Sequence, residues 1–200
     1  MHFHAEIWIP NKLKIGSSKL EKTIEDIMLP YYDGFNESEY DEDSVPPITF
    51  FDWYSIGGRW TGAHDKYDPY KDTANEQLCF ICKGTGDRPE WVTYNINNER
   101  IFTDDWAKKC NGCNACHGTG VDFVHPSRFK PYKGDIIAVS DIPDDFDCYT
   151  LIVGSEVFMC EDIFAPVAEQ EDGGFNGKVK EKLADLGVKS GYLVTVDYHN

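Results

Sequence analysis

Five of the chain's seven cysteines lie between Cys79 and Cys116, and four of them fall into a repeated frame. The first copy is Cys79-Phe80-Ile81-Cys82-Lys83-Gly84-Thr85-Gly86. The second is Cys113-Asn114-Ala115-Cys116-His117-Gly118-Thr119-Gly120, so both read Cys-x-x-Cys-x-Gly-Thr-Gly. An odd, clustered set of cysteines is the distribution of a metal site and not of a disulfide framework. A two-residue gap lets one tight turn offer two thiolates to one ion, and glycines after the second cysteine let the backbone fold back and aim N–H groups at sulfur. Cys79, Cys82, Cys113 and Cys116 are therefore assigned to one zinc ion. Four protein ligands close the coordination sphere, so the expected role is structural. Cys110-Asn111-Gly112-Cys113 is an overlapping pair; if it supplied the second half-site, Cys116 would be spare. The repeated Gly-Thr-Gly frame favours Cys113 with Cys116. Cys148 and Cys160 lie in apolar, strand-like surroundings and read as small buried hydrophobes.

A second candidate is the polar-aromatic stretch from Phe51 to Gly62. Gly57-Gly58 permits a tight turn or close approach to a ligand, Arg59 offers a planar fork for a carboxylate or phosphate, and Trp53 and Trp60 offer stacking faces. Trp53, Tyr54, Arg59 and Trp60 form the candidate set for a small ligand or partner. The competing reading puts the tryptophans in the core and pairs Arg59 with Asp52 or an acidic tract. His2, His4 and His199 would meet if the terminal strands pair, with Asp197 on the same strand face as His199; such groups bind metal or transfer protons. His4-Ala5-Glu6 matches the His-x-Glu of zinc deaminases, but no proline precedes either Cys-x-x-Cys and four thiolates leave no open position. No Walker loop is present, and no residue is assigned a catalytic role.

Charge is the compositional outlier: 35 acids against 19 Lys plus Arg give a net charge of -16 in 200 residues. Thr23 to Gly58 holds nine acids and no base, and Gly134 to Gly177 holds eleven and no base. The remaining 15 acids face all 19 bases, so the rest of the chain is formally +4. Such tracts oppose association with phosphate backbones and anionic membranes and suit a basic protein surface; the alternative is that they keep a small protein soluble. The candidate acidic partner surface is Glu37, Glu39, Asp41, Glu42 and Asp43 in the first tract with Asp144, Asp145 and Asp147 in the second. Residues 66 to 133 hold ten bases against nine acids, so direct nucleic-acid binding by this region is not expected. The longest apolar runs, such as Ile136 to Val139, are far short of the roughly 20 residues of a membrane span, and no secretory leader is read at Met1.

The elements that must position these groups follow from periodicity. Met1 to Pro10 alternates as a strand, with Phe3, Ala5, Ile7 and Ile9 on one face and His2, His4, Glu6 and Trp8 on the other. Ser18 with Glu21 reads as a capping box for a helix striped by Leu20, Ile24, Ile27 and Met28 that stops before Pro30. Ile48 to Ile56 reads as a strand ending at Gly57-Gly58. Trp91 to Tyr94 and Arg100 to Phe102 read as a hairpin, and Asp135 to Val139, Tyr149 to Val153 and Glu156 to Cys160 as strands, with Gly154-Ser155 as a tight turn. A short helix spans Gly177 to Leu186, with Val179, Leu183 and Leu186 on one face, and Tyr192 to His199 alternates as the last strand. The expectation is an α+β core, residues 1–77 and 125–200, with a zinc-binding module inserted at 78–124. The core would be a two-layer sheet-and-helix domain with both termini as neighbouring strands, of which the ferredoxin-like arrangement is one form.

The cysteine frames resemble the zinc region of the Hsp40 (DnaJ-type) cochaperones, whose repeats are Cys-x-x-Cys-x-Gly-x-Gly. Four repeats in that family build two zinc sites; the two here imply one. The helical J domain has no counterpart, since His125-Pro126 is followed by Ser127 and not by Asp. The Phe51 to Gly62 stretch, the acidic loop before it, the cysteine pairs and the closing Thr195 to His199 resemble a class of small bacteriophage proteins with no assigned activity. That resemblance implies expression in a bacterial host cytoplasm. The expected function is a non-enzymatic, zinc-stabilised accessory protein that binds or inhibits a host protein with a basic surface, of the kind that grips nucleic acid. The alternative is an enzyme or small-ligand binder using the Trp53 to Trp60 loop.

Overall fold

The computed structural model describes residues 1–33, 49–65, 67–87, 92–94, 97, 100–102, 112–113, 115–160 and 175–200. Their contacts divide the chain into two units, Met1–Pro69 with Ser127–Asn200, and Tyr70–Pro126. The divisions read from the sequence, before Leu78 and after Val124, both fall inside the second unit.

The first unit is built on strand β1 (His2–Ile9), which leads to helix α1 (Ser18–Met28) and then to β2 (Trp53–Ile56). In the second unit β3 (Glu76–Leu78) pairs with β6 (Val121–Phe123), and between them β4 (Val92–Tyr94) pairs with β5 (Arg100–Phe102); both pairs are antiparallel. The chain returns to the first unit with β7 (Ile136–Ala138), the hairpin β8 (Thr150–Val153) and β9 (Glu156–Met159), helix α2 (Val179–Asp185) and β10 (Tyr192–His199).

The main sheet runs β2-β10-β1-β8-β9, with β7 following β2 along the same edge of β10. Both terminal strands are central, paired antiparallel from His2 opposite His199 to Ile9 opposite Tyr192. The sheet is α+β, but its order is not ferredoxin-like. A ferredoxin-like sheet splits its βαβ crossover with an intervening strand. Here β8 lies directly against β1, in parallel, and β9 lies outside it. The hairpin docks through its first strand.

Period-two alternation sends Ala5, Ile7 and Ile9 to the face covered by α1, where Leu20, Ile24 and Met28 are fully buried with Ile152, Val194, Val196 and Tyr198. Each buried side chain of this size contributes about 1.5–3 kcal/mol. The cap of α1 is shifted one residue from the sequence reading: Ser17 Oγ, not that of Ser18, accepts the Leu20 N–H at 3.3 Å. The second helix packs Val179 and Leu183 with Leu151 and Leu193 on the opposite face. The two layers expected from the sequence therefore describe the α1 side, and α2 adds a third layer at one end.

Ile24 is central to the α1 seam and wholly buried. Replacing it with Ala should cost about 2–5 kcal/mol through lost transfer energy and the cavity left behind. Urea unfolding should show a lowered midpoint with an unchanged slope.

Candidate functional site

In the second unit the sequence repeat becomes a structural repeat. Lys83 and His117, the residues after the second cysteine of each pair, take φ of 53° and 52°, and the closing Gly86 and Gly120 take 75° and 76°. Gly86 N–H donates to Cys82 Sγ at 3.3 Å and Gly120 N–H to Cys116 Sγ at 3.2 Å, the sulfur-directed amides that the glycine frame anticipates. The copies also exchange backbone bonds: Cys79 N–H donates to Gly120 O at 3.0 Å, and Cys113 N–H to Gly86 O at 2.7 Å. Glycine is needed at the crossing, because a Cβ on Gly86 would lie 2.4 Å from Gly118 O and one on Gly120 2.4 Å from Gly84 O. The pair β3 and β6 leads into the first copy and out of the second.

This exchange brings Cys79, Cys82, Cys113 and Cys116 together, all buried, with their sulfurs within 4.8 Å of one another. Cys79 Sγ is 3.8 Å from Cys113 Sγ, and Cys82 Sγ is 3.7 Å from Cys116 Sγ. A tetrahedron with metal–sulfur bonds of about 2.3 Å has edges of about 3.8 Å, whereas a disulfide would need about 2.05 Å. The four thiols fit one metal ion. Cys110 lies outside the described residues.

The first unit contains a polar layer that the sequence does not announce. The β1 face bearing His2, His4, Glu6 and Trp8 is opposed by His199, Asp197, Thr195 and Leu193 of β10. Far from being solvated, its centre is buried: Glu6, Thr195 and Asp197 have no exposed surface. The segment after β2 covers it. Gly57 N–H donates to Thr195 O at 2.8 Å, and Gly57 and Gly58 take φ of 72° and 56°. Added Cβ atoms there would lie 2.4 Å from Asp135 Oδ2 and 2.4 Å from Asp197 Cβ, respectively, so the paired glycines allow the loop to press onto two carboxylates.

Glu6 is the centre of this layer. Its Oε1 accepts from Thr195 Oγ1 at 2.9 Å, contacts His4 Nε2 at 2.7 Å, and lies 3.1 Å from His64 Nε2. The His64 ring is close enough for charge attraction, yet neither of its nitrogens makes an aligned hydrogen bond among the described residues. Burial pushes the Glu6 carboxyl up, but the charge of His64 and the hydrogen bond from His4 outweigh it and hold the group at about 2. For His64, burial works against the charged ring, and the Glu6 carboxylate overcomes it and raises the pKa. Trp60 stacks on His4 at 5.0 Å and Phe146 packs on His64 at 4.2 Å, which keeps water from the pair. Asp135, also buried, accepts from Thr61 Oγ1, Gly62 N–H and Tyr132 N–H; burial raises its pKa and these donors offset part of the shift.

The residues selected from the sequence around this layer do not converge on one point. Trp53 is 38% exposed on the polar face beside His2, whereas Tyr54 points to the α1 side and packs against Phe51. Trp60 is stacked on His4, and the Arg59 N–H donates to Asp197 Oδ2 at 3.1 Å. His2 and His199 do meet, with ring centres 5.2 Å apart, while His4 pairs with Glu6. In the second acidic tract, Asp144 pairs with Lys180 and Asp147 with Lys178, bases just beyond the tract, and Asp145 is exposed. Glu37, Glu39, Asp41, Glu42 and Asp43 lie outside the described residues. Sequence reading missed His64, Thr61 and Asp135. The i, i+2 spacing of His4 and Glu6 on a strand signals their shared face, but nothing in the sequence points to His64 as their partner.

The Glu6–His64 pair sets two pH limits. The lowered Glu6 pKa contributes stability that is present above its ordinary value of 4.5 and lost as pH falls through about 2. The raised His64 pKa contributes stability that is present below 6.5 and lost as pH rises through its folded value. An NMR titration should find the His64 ring above 6.5, and Glu6→Gln should lower it, because the largest of the charges that oppose burial is then gone and only Asp135 and Asp65 remain. An unchanged His64 titration in that variant would contradict the pairing.

No protein-family model, curated protein or solved structure matches this chain, so its chemistry is read from its own residues.

Proposed function

We propose that the chain is a non-enzymatic binding protein stabilised by one zinc ion, an accessory factor of the bacteriophage class it resembles, acting in the host cytoplasm on a protein with a basic surface. The observation that carries this reading is the closed set of four buried thiols. Thiolates select zinc among the abundant divalent ions, and with four of them no position is left for water or substrate, so the ion would build the fold of its unit. Cys79 and Cys82 would supply one half of the site and Cys113 and Cys116 the other.

The acidic excess supports the choice of partner. In the second tract two of the candidate acids are answered by lysines within the chain, which moves the weight of the electrostatic reading to Glu37, Glu39, Asp41, Glu42 and Asp43. A net charge of -16 steers the protein toward basic surfaces and away from nucleic acid. The internal engagement of Trp60 and of the Arg59 backbone favours a binding protein over an enzyme built on that loop.

Metal analysis after dialysis against a weak chelator should return one tightly held zinc per chain, and Cys82→Ser or Cys116→Ser should release it; full retention after both replacements would refute the ligand set. Partner recovery from bacterial extract tests the second half. Neutralising Glu37, Glu39, Asp41, Glu42 and Asp43 together should abolish recovery at moderate salt, whereas an unchanged partner set would rule out the electrostatic mode.

A further inference from the structure

The geometry points to a second metal site, distinct from the cysteines, in which His2 and His199 bind one divalent cation of the imidazole-preferring kind, such as Ni2+ or Zn2+. The two residues are directly opposed in the β1–β10 register and share the polar face of the sheet. Their ring centres lie 5.2 Å apart at an interplanar angle of 68°. Two imidazoles bound to one tetrahedral ion at about 2.0–2.1 Å place their ring centres about 5 Å apart, a spacing that the observed edge-to-face pair matches.

Each ring is also held as metal-binding histidines are. His2 Nδ1 is 2.9 Å from Asp197 Oδ1, and His199 Nδ1 is 2.8 Å from Asp52 Oδ1. A ring that gives its Nδ1–H to a carboxylate has its tautomer and orientation fixed and ligates through Nε2. The support for His2 is rigid, because Asp197 is fully buried and its other oxygen accepts the Arg59 N–H beneath Gly58. The loop that sequence reading singled out for recognition thus serves to aim His2. His2, His199, Asp52, Trp53 and Ser127 line an open depression of about 270 Å³, room for an ion that keeps several waters. Two imidazoles and no preformed ring of carboxylates favour borderline ions over Ca2+ or Mg2+. This site uses none of the eight acids proposed as the partner surface, although Asp52 belongs to the first acidic tract.

The test uses the full chain with its cysteine centre already loaded with zinc, dialysed against Ni2+ and followed by metal analysis. One equivalent of Ni2+ should bind beyond the thiolate-held ion. His199→Gln should weaken that binding at least about tenfold, and Asp52→Asn by a similar factor through the loss of ring orientation. Both side chains are substantially exposed, at 40% and 59%, so the variants should keep the wild-type thermal unfolding. Quenching of Trp53, 5.9 Å from the His2 ring, should accompany binding and disappear in Trp53→Phe. Failure of the wild-type chain to take up Ni2+, or equal uptake by His199→Gln, would overturn the site and leave the histidines as structural partners of their aspartates.

Discussion

The ionised Glu6 carboxylate, buried in the central strand of the sheet, is the constraint that shapes most of the first unit. Taking a carboxylate out of water costs several kcal/mol unless charge and hydrogen bonds replace the lost hydration. Thr195, His4 and His64 supply that replacement at Oε1, while Oε2 has no hydrogen-bond partner among the described residues, and each of the three must come from a different direction. Thr195 comes across the β1–β10 ladder and His4 from two residues back along the same strand. His64 can reach Glu6 only if the segment after β2 descends onto the sheet. That descent explains the positive φ of Gly57 and Gly58, the stacking of Trp60 on His4 and the contact of Phe146 with His64. It also lets the Arg59 amide reach Asp197, so the aim of His2 at the sheet's end depends on how the loop closes over its middle.

The cysteine unit solves a different problem. Its two-stranded pairs are too short to bury a core, and small units of this kind need a metal or disulfides. The duplicated frame meets that need by symmetry. Each copy donates an amide to the other, and each turns a glycine N–H onto its own second sulfur. An ion held by the four thiols would couple its own binding to the folding of this unit.

Much of this was legible in the residue pattern. The repeated Cys-x-x-Cys-x-Gly-Thr-Gly specified both which four thiols cluster and where the positive-φ turns fall, and β10 spans the same residues as its alternation. The apolar stripe of α1 packs as read, with the cap displaced from Ser18 to Ser17. What could not be read is where polar residues go when tertiary contacts satisfy them. A strand face of His2, His4, Glu6 and Trp8 has the pattern of a solvated face, and only the loop bearing His64, more than 50 residues away, turns it into an interior. The strand order was hidden for a related reason: alternation fixes which face a strand presents, but not which strand of a hairpin docks on β1. The acidic tracts were legible as charge and not as surface, since the pairing of Asp144 and Asp147 depends on lysines brought close by α2.

These features are a buried carboxylate that orders the first unit, four buried thiols that fit one metal ion in the second, and a sequence with a net charge of -16. The central physical claim is that Glu6 stays charged inside the sheet. The most direct measurement is the side-chain carboxyl 13C shift of Glu6 in labelled protein, followed from pH 7 down to pH 4. An ionised shift that does not titrate over this range is predicted. A protonated shift at pH 7, or a midpoint near the ordinary 4.5, would contradict it.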